Sequence, residues 1–149
     1  LNHITSLTGS FFVYMAESIL HTQIPEGAQK LKTTFDIKLL MLPIVDLARL
    51  YSLKNQISTT NTVKRINIIH EKNIFSQSKH INLLQIYNFL MQIRFKHQAS
   101  QISEHISPDN IIDAHKLSDV ELTIIKKAVS IIEDFQDKIK LDFKGTLAI

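Results

Sequence analysis

The stretch INLLQIYNFLMQIRFKHQ, residues 81–98, decides the fold class of this chain. Its apolar side chains recur at steps of three and four residues, which is the spacing of one face of an α-helix. They form two adjoining stripes, one of Leu83, Ile86, Leu90 and Ile93 and the other of Leu84, Tyr87 and Met91. We therefore predict a long amphipathic helix here, with Ser78 as its N-cap and an end near Gln101.

The same spacing predicts two helices in the N-terminal part of the chain. We expect the first over residues 3–21, ended by Pro25 and Gly27, because proline and glycine terminate helices. The second is predicted from Pro43 to about residue 54, since a helix tolerates proline in its first turn.

Two more helices are predicted around a loop. The polar run at residues 58–61 offers N-caps for a third, shorter helix that ends near Lys72. Residues 103–117 have the composition of a loop, and Ser118 and Glu121 behind them match a capping box. The apolar face of the last helix would hold Ile124, Ala128, Ile131, Phe135 and Ile139.

Composition supports this reading. The 149 residues are 44% hydrophobic and 21% charged, which suits one globular domain, and three Gly and three Pro are too few for many hairpin turns. The longest uncharged apolar stretch, residues 4–16, is too short and too polar for a membrane span. The chain has no cysteine, which fits a reducing cytoplasm. We predict an all-α protein, an antiparallel bundle of four to five main helices.

Charge is distributed unevenly along the chain. Residues 49–96 contain eight Lys and Arg against one acid, whereas residues 98–137 contain eight acids against three lysines. This asymmetry has two explanations: a basic surface that binds an anion such as a phosphate, or two halves of a bundle that attract one another. Nucleic-acid binding is disfavoured, because such domains are usually basic throughout.

Three polar side chains end the apolar stripes of the long helix. Arg94, His97 and Gln98 are neighbours by their three- and four-residue spacing, and they need partners if this face is buried. Candidate partners in the second helix and the loops are Asp46, Arg49, Asp36 and Asp109. The cluster is either an internal network that locks the bundle or the wall of a pocket for an anionic or polar ligand.

The common patterns of catalytic sites are missing from the sequence. No two histidines are four residues apart, as a helical zinc motif requires, and there is neither a phosphate-binding glycine loop nor a cysteine nucleophile. Gly9 and Ser10 are not followed, in the segment next to them, by the closely spaced carboxylates of metal-dependent nucleotidyl transfer. Asp109 and Asp113 are interpreted as solvated turn acids. We expect neither catalysis nor a metal site in this chain.

Several separated segments, in the right order, resemble one protein family. They are FDIKLLMLPIVDLARLYSL (35–53), STTNTVKRI (58–66), IYNFLMQIRFKHQ (86–98), SPDNII (107–112) and ELTIIKKAVSIIEDFQ (121–136). The chain resembles the nucleotidyltransferase substrate-binding domain, a helical domain found C-terminal to a nucleotidyltransferase domain in bacterial signalling proteins. Cyclic-nucleotide-binding and paired CBS domains often accompany it there, and the catalytic part is similar to PII uridylyltransferases.

The resemblance can be followed motif by motif. The family's DxK motif matches Asp36 and Lys38, and its PIxDxAR motif matches the segment that begins at Pro43. An ST pair before a helix, a following arginine, an R-x-x-HQ motif and a DN pair are also present. The resemblance implies a role in substrate binding for Asp36, Lys38, Asp46, Arg49, Thr59, Arg65, Arg94, His97, Gln98, Asp109 and Asn110.

The resemblance also implies what the chain works with. It would be a non-catalytic wall of a cleft, with the nucleotidyltransferase domain of the same protein as its partner and a nucleotide or acceptor as its ligand. Mg²⁺ and a nucleoside triphosphate would belong to the catalytic domain, and this chain would need no cofactor. The alternative is a regulatory or dimerisation bundle that relays signals from sensory domains, with a homodimer as one form and the polar cluster purely structural.

The same reading predicts how the chain is divided. Residues 1–34 would be a packing helix and linker, and residues 35–149 the substrate-binding-like domain. Because the chain begins at Leu1 rather than Met, we expect a piece of a longer cytoplasmic protein.

Overall fold

The computed structural model of the chain describes residues 34–143, and in this part the fold is a bundle of four α-helices with a small sheet. The elements in chain order are β1 (Thr34–Asp36), α1 (Ile37–Lys54), α2 (Thr62–Glu71), α3 (Gln77–Ser103), β2 (Ile111–Asp113), a 3₁₀ turn (Ala114–Lys116) and α4 (Asp119–Asp142). The all-α prediction is confirmed. The predicted helix over residues 3–21, with its end at Pro25 and Gly27, lies outside the described residues.

Helix α1 begins earlier than the sequence predicted. Asp36 is its N-cap and accepts a hydrogen bond from the backbone N–H of Lys38 at 2.9 Å, so the prediction of a start at Pro43 was wrong. Pro43 instead lies inside the helix and is buried. An internal proline removes one helical hydrogen bond. The helix continues through it because Leu40, Ile44 and Leu47 on the same face are almost completely buried, so packing outweighs the local cost.

The caps of the next two helices differ in how well the sequence predicted them. Asn61 caps α2 by accepting from the N–H of Lys64 at 3.0 Å, which confirms the predicted polar run. Helix α3 is capped by Ser76 rather than Ser78, so that prediction was wrong. Ser76 has the extended backbone that a cap requires and accepts from the N–H of Lys79, whereas Ser78 already lies in the first turn.

The predicted loop at 103–117 contains a short strand. β2 pairs antiparallel with β1, with Phe35 opposite Ile112, and both of these side chains are buried. Three-residue strands are too short to show an alternating pattern, which is why the sequence did not reveal them. The prediction of a structureless loop is therefore wrong for residues 111–116.

The capping box that begins α4 is confirmed. Ser118 accepts from the N–H of Glu121, and the Glu121 carboxylate accepts from the N–H of Ser118. Of the predicted apolar face, Ile124 is only partly buried, whereas the four later members, Ala128, Ile131, Phe135 and Ile139, are buried.

Contacts at the two ends of the bundle give the directions of the helices. Tyr51, near the end of α1, packs edge-on against Phe75, just before α3, and its hydroxyl donates to Asp142 at the end of α4. At the opposite end, Lys96 in the C-terminal half of α3 lies 3.6 Å from Glu121 in the first turn of α4. Helix α3 is therefore antiparallel to α1 and α4, and α2 packs against α1 and α3.

No helix within residues 34–143 combines the length and the apolar character that a membrane span requires.

Candidate functional site

Polar side chains at the C-terminal end of α3 form hydrogen bonds with a turn in the loop that follows the helix. We call this arrangement the clasp. Its members are Arg94, His97, Gln98 and Gln101 of α3 and Asp109 and Asn110 of the loop. Arg94 Nε donates to Asn110 Oδ1 at 2.8 Å, and Gln98 Nε2 donates to the same oxygen at 3.3 Å and to the Asp109 carbonyl at 3.1 Å. The clasp thus fixes the loop on α3 through hydrogen bonds to both of its turn residues.

The clasp also fixes the start of α1. The carbonyl of Asn110 accepts from the N–H of Ile37 at 3.0 Å, directly after the Asp36 cap. Asp36 is also the register partner of Ile111 in the small sheet. The sequence-predicted residues Asp36, Arg94 and Asn110 are therefore brought to one end of the bundle, with Lys38 following the cap in the first turn of α1.

Asp109 takes part in four hydrogen bonds and is the acceptor in three of them. Its Oδ1 lies 2.8 Å from His97 Nε2 and 2.9 Å from the N–H of Ile111, and its own N–H donates to Gln101 Oε1 at 2.9 Å. The hydrogen bond from His97, followed by the one from Ile111, lowers the pKa of the Asp109 carboxyl. Asp109 is accordingly an ionised acceptor at neutral pH.

Arg94 does not have the acidic partner that the sequence suggested. Its partner among the described residues is the neutral amide of Asn110, whereas Asp46 pairs with Arg49 three residues later at 2.9 Å. Of the candidate partners that the sequence offered, Asp46 is therefore not the partner of Arg94. The reason is geometric, because Asp46 lies more than two helical turns into α1, away from the clasp at its start.

The remaining predicted residues lie apart from the clasp. Arg49 is about 18 Å along α1 from the first residue of that helix, at 1.5 Å per residue, and its side chain is 47% exposed. Arg65 Nε donates to the carbonyl of Thr59 at 2.7 Å, which joins α2 to the linker before it. The predicted set is thus divided among the clasp end, the middle of α1 and the start of α2.

A groove of about 310 Å³ lies beside the clasp, between the C-terminal half of α3 and the segment that leads into α4. Its apolar lining is Ile93, Ile106, Ile111, Ile112 and Leu117. Its polar lining is Lys96, His97, Ser100, Gln101, Glu104, Asp113, Lys116 and Glu121. Sites for small ligands typically have volumes of roughly 300–1,000 Å³, and the groove lies near the lower end of this range.

The sequence analysis did not predict most of the polar residues that line the groove. His97 is shared between the clasp and the groove, and Gln101 continues the helical row that starts at His97. That four-residue step was a signal that could have identified Gln101. The carboxylates Glu104 and Glu121 gave no such signal, because the path of the loop between α3 and α4 brings them to one groove.

The carboxylates near the groove are engaged in local structure. Asp119 and Glu121 are the one Asp-x-Glu pair of the sequence, but they lie in the first turn of α4. The hydrogen bond from the backbone of Ser118, in the capping box, lowers the pKa of Glu121. Asp109 and Asp113 each accept from the backbone N–H two residues later, as expected for turn acids. Within residues 34–143, no three potential metal ligands are grouped together.

Fold and groove together define a small all-α domain with a site of ligand size beside a polar helix end. The chain belongs to the family described as "Putative nucleotidyltransferase substrate binding domain", whose sequence profile matches residues 9–143. Family membership gives it an accessory role in association with a nucleotidyltransferase. No curated protein matches the chain. The predicted division at residue 34 stays a prediction.

Proposed function

We propose that this chain forms the substrate-binding wall of a nucleotidyltransferase cleft, with the groove as the surface that contacts the substrate. The catalytic wall would be a nucleotidyltransferase domain of the same protein, which would hold Mg²⁺ and the nucleoside triphosphate. The whole would act in a cytoplasmic bacterial signal-transduction protein, with cyclic-nucleotide-binding and CBS domains as its sensory parts. This chain would orient the substrate and exclude water rather than perform chemistry.

The observation that carries the proposal is the position of the groove next to the clasp. The clasp ties α3, the loop and the start of α1 together through Asn110, so the groove wall is held by three elements at once. Sites need such support because a ligand is positioned only as well as the side chains around it are. His97 and Gln101 take part in both structures, so the loop order and the groove shape depend on the same residues.

The predicted arginines would have different tasks in this arrangement. Arg94 donates to Asn110 and would shape the wall. Arg49, with its half-exposed side chain, would be the one more able to add positive charge toward the catalytic domain. Arg65 is joined to the Thr59 carbonyl and would order the linker before α2.

The test is nucleotidyl transfer by the full-length protein. We would follow incorporation of α-phosphate-labelled nucleoside triphosphates into an acceptor fraction from the source cells, with wild type and Ile106→Trp side by side. Ile106 lines the groove and is 51% exposed, so a tryptophan there fills the groove without disturbing the core. We expect transfer to fall at least about tenfold, the equivalent of roughly 1.4 kcal/mol of lost transition-state stabilisation.

The matched control is Ile81→Trp. Ile81 is comparably exposed, at 41%, but it lies in the second turn of α3, at the opposite end of the bundle. Transfer by this variant should equal that of wild type. Normal transfer by Ile106→Trp, or an equal loss in both variants, would refute the groove as the substrate surface.

One observation favours the alternative of a regulatory or dimerisation bundle. Phe95 and Ile102 of α3 are 57% and 61% exposed, and their seven-residue separation places them on one face of the helix. Two exposed apolar residues in line suit a helix–helix contact. Sedimentation equilibrium of wild type and Phe95→Ser decides between the roles: a dimer that the substitution dissociates supports the alternative, and a monomer in both cases opposes it.

A further inference from the structure

The loop around the groove is strongly acidic. Residues 97–121 contain five Asp and Glu against one Lys, a net charge of −4 with the histidines neutral. The eight basic residues at positions 49–96 had suggested an anion-binding surface, and only Lys96 among them lines the groove. Among the residues that line the groove, two lysines stand against three carboxylates, so the lining is slightly acidic rather than basic.

Three carboxylates line the groove, and each uses part of its capacity in local structure. Glu104 Oε1 accepts from the hydroxyl of Ser100 at 3.0 Å, and Asp113 Oδ1 accepts from the N–H of His115 at 2.9 Å. Glu121 Oε2 accepts from the N–H of Ser118, and its Oε1 lies 3.6 Å from Lys96 Nζ. A carboxylate has room for about four hydrogen bonds, so acceptor capacity remains at all three.

Of the lysines and arginines within residues 34–143, two line the groove. Lys54 and Lys79 lie over the rings of Phe143 and Phe135, near the end of the bundle opposite the clasp. At the groove, Lys96 faces Glu121, and Lys116 is the second lysine of the lining. Two lysines against three carboxylates oppose the binding of a triphosphate, which needs clustered cations.

The apolar part of the groove complements these acceptors. Ile93 and Ile112 are buried beneath it, whereas Ile106 and Ile111 flank it with 51% and 46% exposure. The two exposed isoleucines and the two buried ones form an apolar surface on which the apolar part of a ligand can pack. The combination suits a molecule with an apolar body and a positively charged, hydrogen-donating group.

We propose that the groove receives an acceptor molecule with an apolar body and a protonated amine, while the nucleotide phosphates lie outside it. This inference rests on the proposed function above, since it assigns the acceptor rather than the nucleotide to this wall. The amine would donate to the open carboxylate oxygens of Glu104 and Asp113, and the body would lie against the isoleucines. No chemical step is assigned to the groove.

The test uses two probes with the same ring and opposite charge, tryptamine and indole-3-propionate. Each is titrated into the chain with its isoleucine methyl groups labelled, and binding is read from the methyl resonances by NMR. Ile106 and Ile111 report on the groove, and Ile69, which is fully buried in α2, reports on the core. We expect tryptamine to shift the two groove resonances, indole-3-propionate to leave them unchanged, and neither probe to shift Ile69.

Carboxylate variants test the origin of the preference. Glu104→Gln and Asp113→Asn remove one charge each and should weaken tryptamine binding roughly two- to fivefold, the scale of an exposed ion pair. Glu133→Gln is the matched control, because Glu133 is an exposed acid on α4 that does not line the groove. This control should bind tryptamine as wild type does, and added salt should weaken the binding by screening.

Each result has a fixed meaning. Equal or tighter binding of indole-3-propionate, no groove shift with tryptamine, or carboxylate variants that bind like wild type would overturn the inference. Loss of transfer in Ile106→Trp together with absent amine binding would refute this inference and leave the proposed function intact. Amine binding in the groove with normal transfer by Ile106→Trp would refute the proposed function and the role of the amine as its acceptor, and would leave only an amine-binding groove.

Discussion

The substitution Arg94→Ala measures what the clasp contributes to stability. Arg94 donates one hydrogen bond, 2.8 Å long, from a partly buried charged group to a neutral amide oxygen, and its removal leaves no buried acid unpaired. Hydrogen bonds that involve a charged group contribute about 1.5–3 kcal/mol, and Gln98 remains as a second donor to the same oxygen. We therefore expect the free energy of unfolding to fall by about 1–2 kcal/mol.

Urea denaturation of wild type, Arg94→Ala, Asn110→Ala and the double variant would determine this value. The double-mutant cycle should give a coupling of about 1 kcal/mol between the two residues. Arg49→Ala is the control, since its exposed pair with Asp46 should contribute less than about 1 kcal/mol. A loss of roughly 3–5 kcal/mol would instead indicate a buried ion pair, and a loss no larger than that of Arg49→Ala would refute a structural role for the clasp.

Three further predictions concern the core and the titration of Asp142 and His80. Leu90→Ala should reduce the free energy of unfolding by about 2–5 kcal/mol, because Leu90 is fully buried. Leu141 is 71% exposed, so Leu141→Ala should change the free energy of unfolding by less than about 0.5 kcal/mol in the same urea experiment. Burial raises the pKa of Asp142, but hydrogen bonds from Lys138 and Tyr51 outweigh this effect and lower the pKa below 3.8. The free energy of unfolding should therefore decrease as the pH falls below about 4, and it should decrease less steeply in Tyr51→Phe. Thermal melts at several pH values would measure both slopes. Burial, and then the neighbouring His70, lowers the pKa of His80 below 6.5, so the unfolded chain binds the proton more readily. The melting temperature should therefore decrease on acidification below about pH 6.5. If the melting temperature of His80→Gln depended on pH as that of wild type does, this assignment would be contradicted.

The sequence predicted the helices well where a long apolar periodicity was present. The long central helix, the Ser118–Glu121 capping box and the polar start of α2 all follow from local rules of spacing and capping. The start of α1 was missed because Pro43 is a familiar signal for a first turn, and tertiary packing overrode it here. The two short strands were missed because their pairing joins residues 34–36 to residues 111–113, which no local pattern reports.

The site was predicted only in part for a related reason. Helical spacing brought Arg94, His97 and Gln98 together correctly, since it is a property of a single helix. Their partners could not be chosen from the sequence, because the position of the loop was unknown; Asn110, which binds Arg94, was not among the candidate partners, whereas Asp46 was. The groove itself depends on the path between α3 and α4, so the sequence showed the excess of acids in residues 98–137 but not that three of them line one groove.

The most direct test of the groove as the substrate surface is photo-crosslinking during turnover. A photoreactive aliphatic diazirine residue, close to isoleucine in size so that the groove stays open, replaces Ile106 in the full-length protein, or Ile81 in the second turn of α3 as the control. The protein is irradiated while it turns over nucleoside triphosphates labelled in the α-phosphate together with the acceptor fraction. We expect label to be captured at position 106 and not at position 81. Capture at position 81 alone, or continued transfer with no capture at position 106, would contradict the central role of the groove.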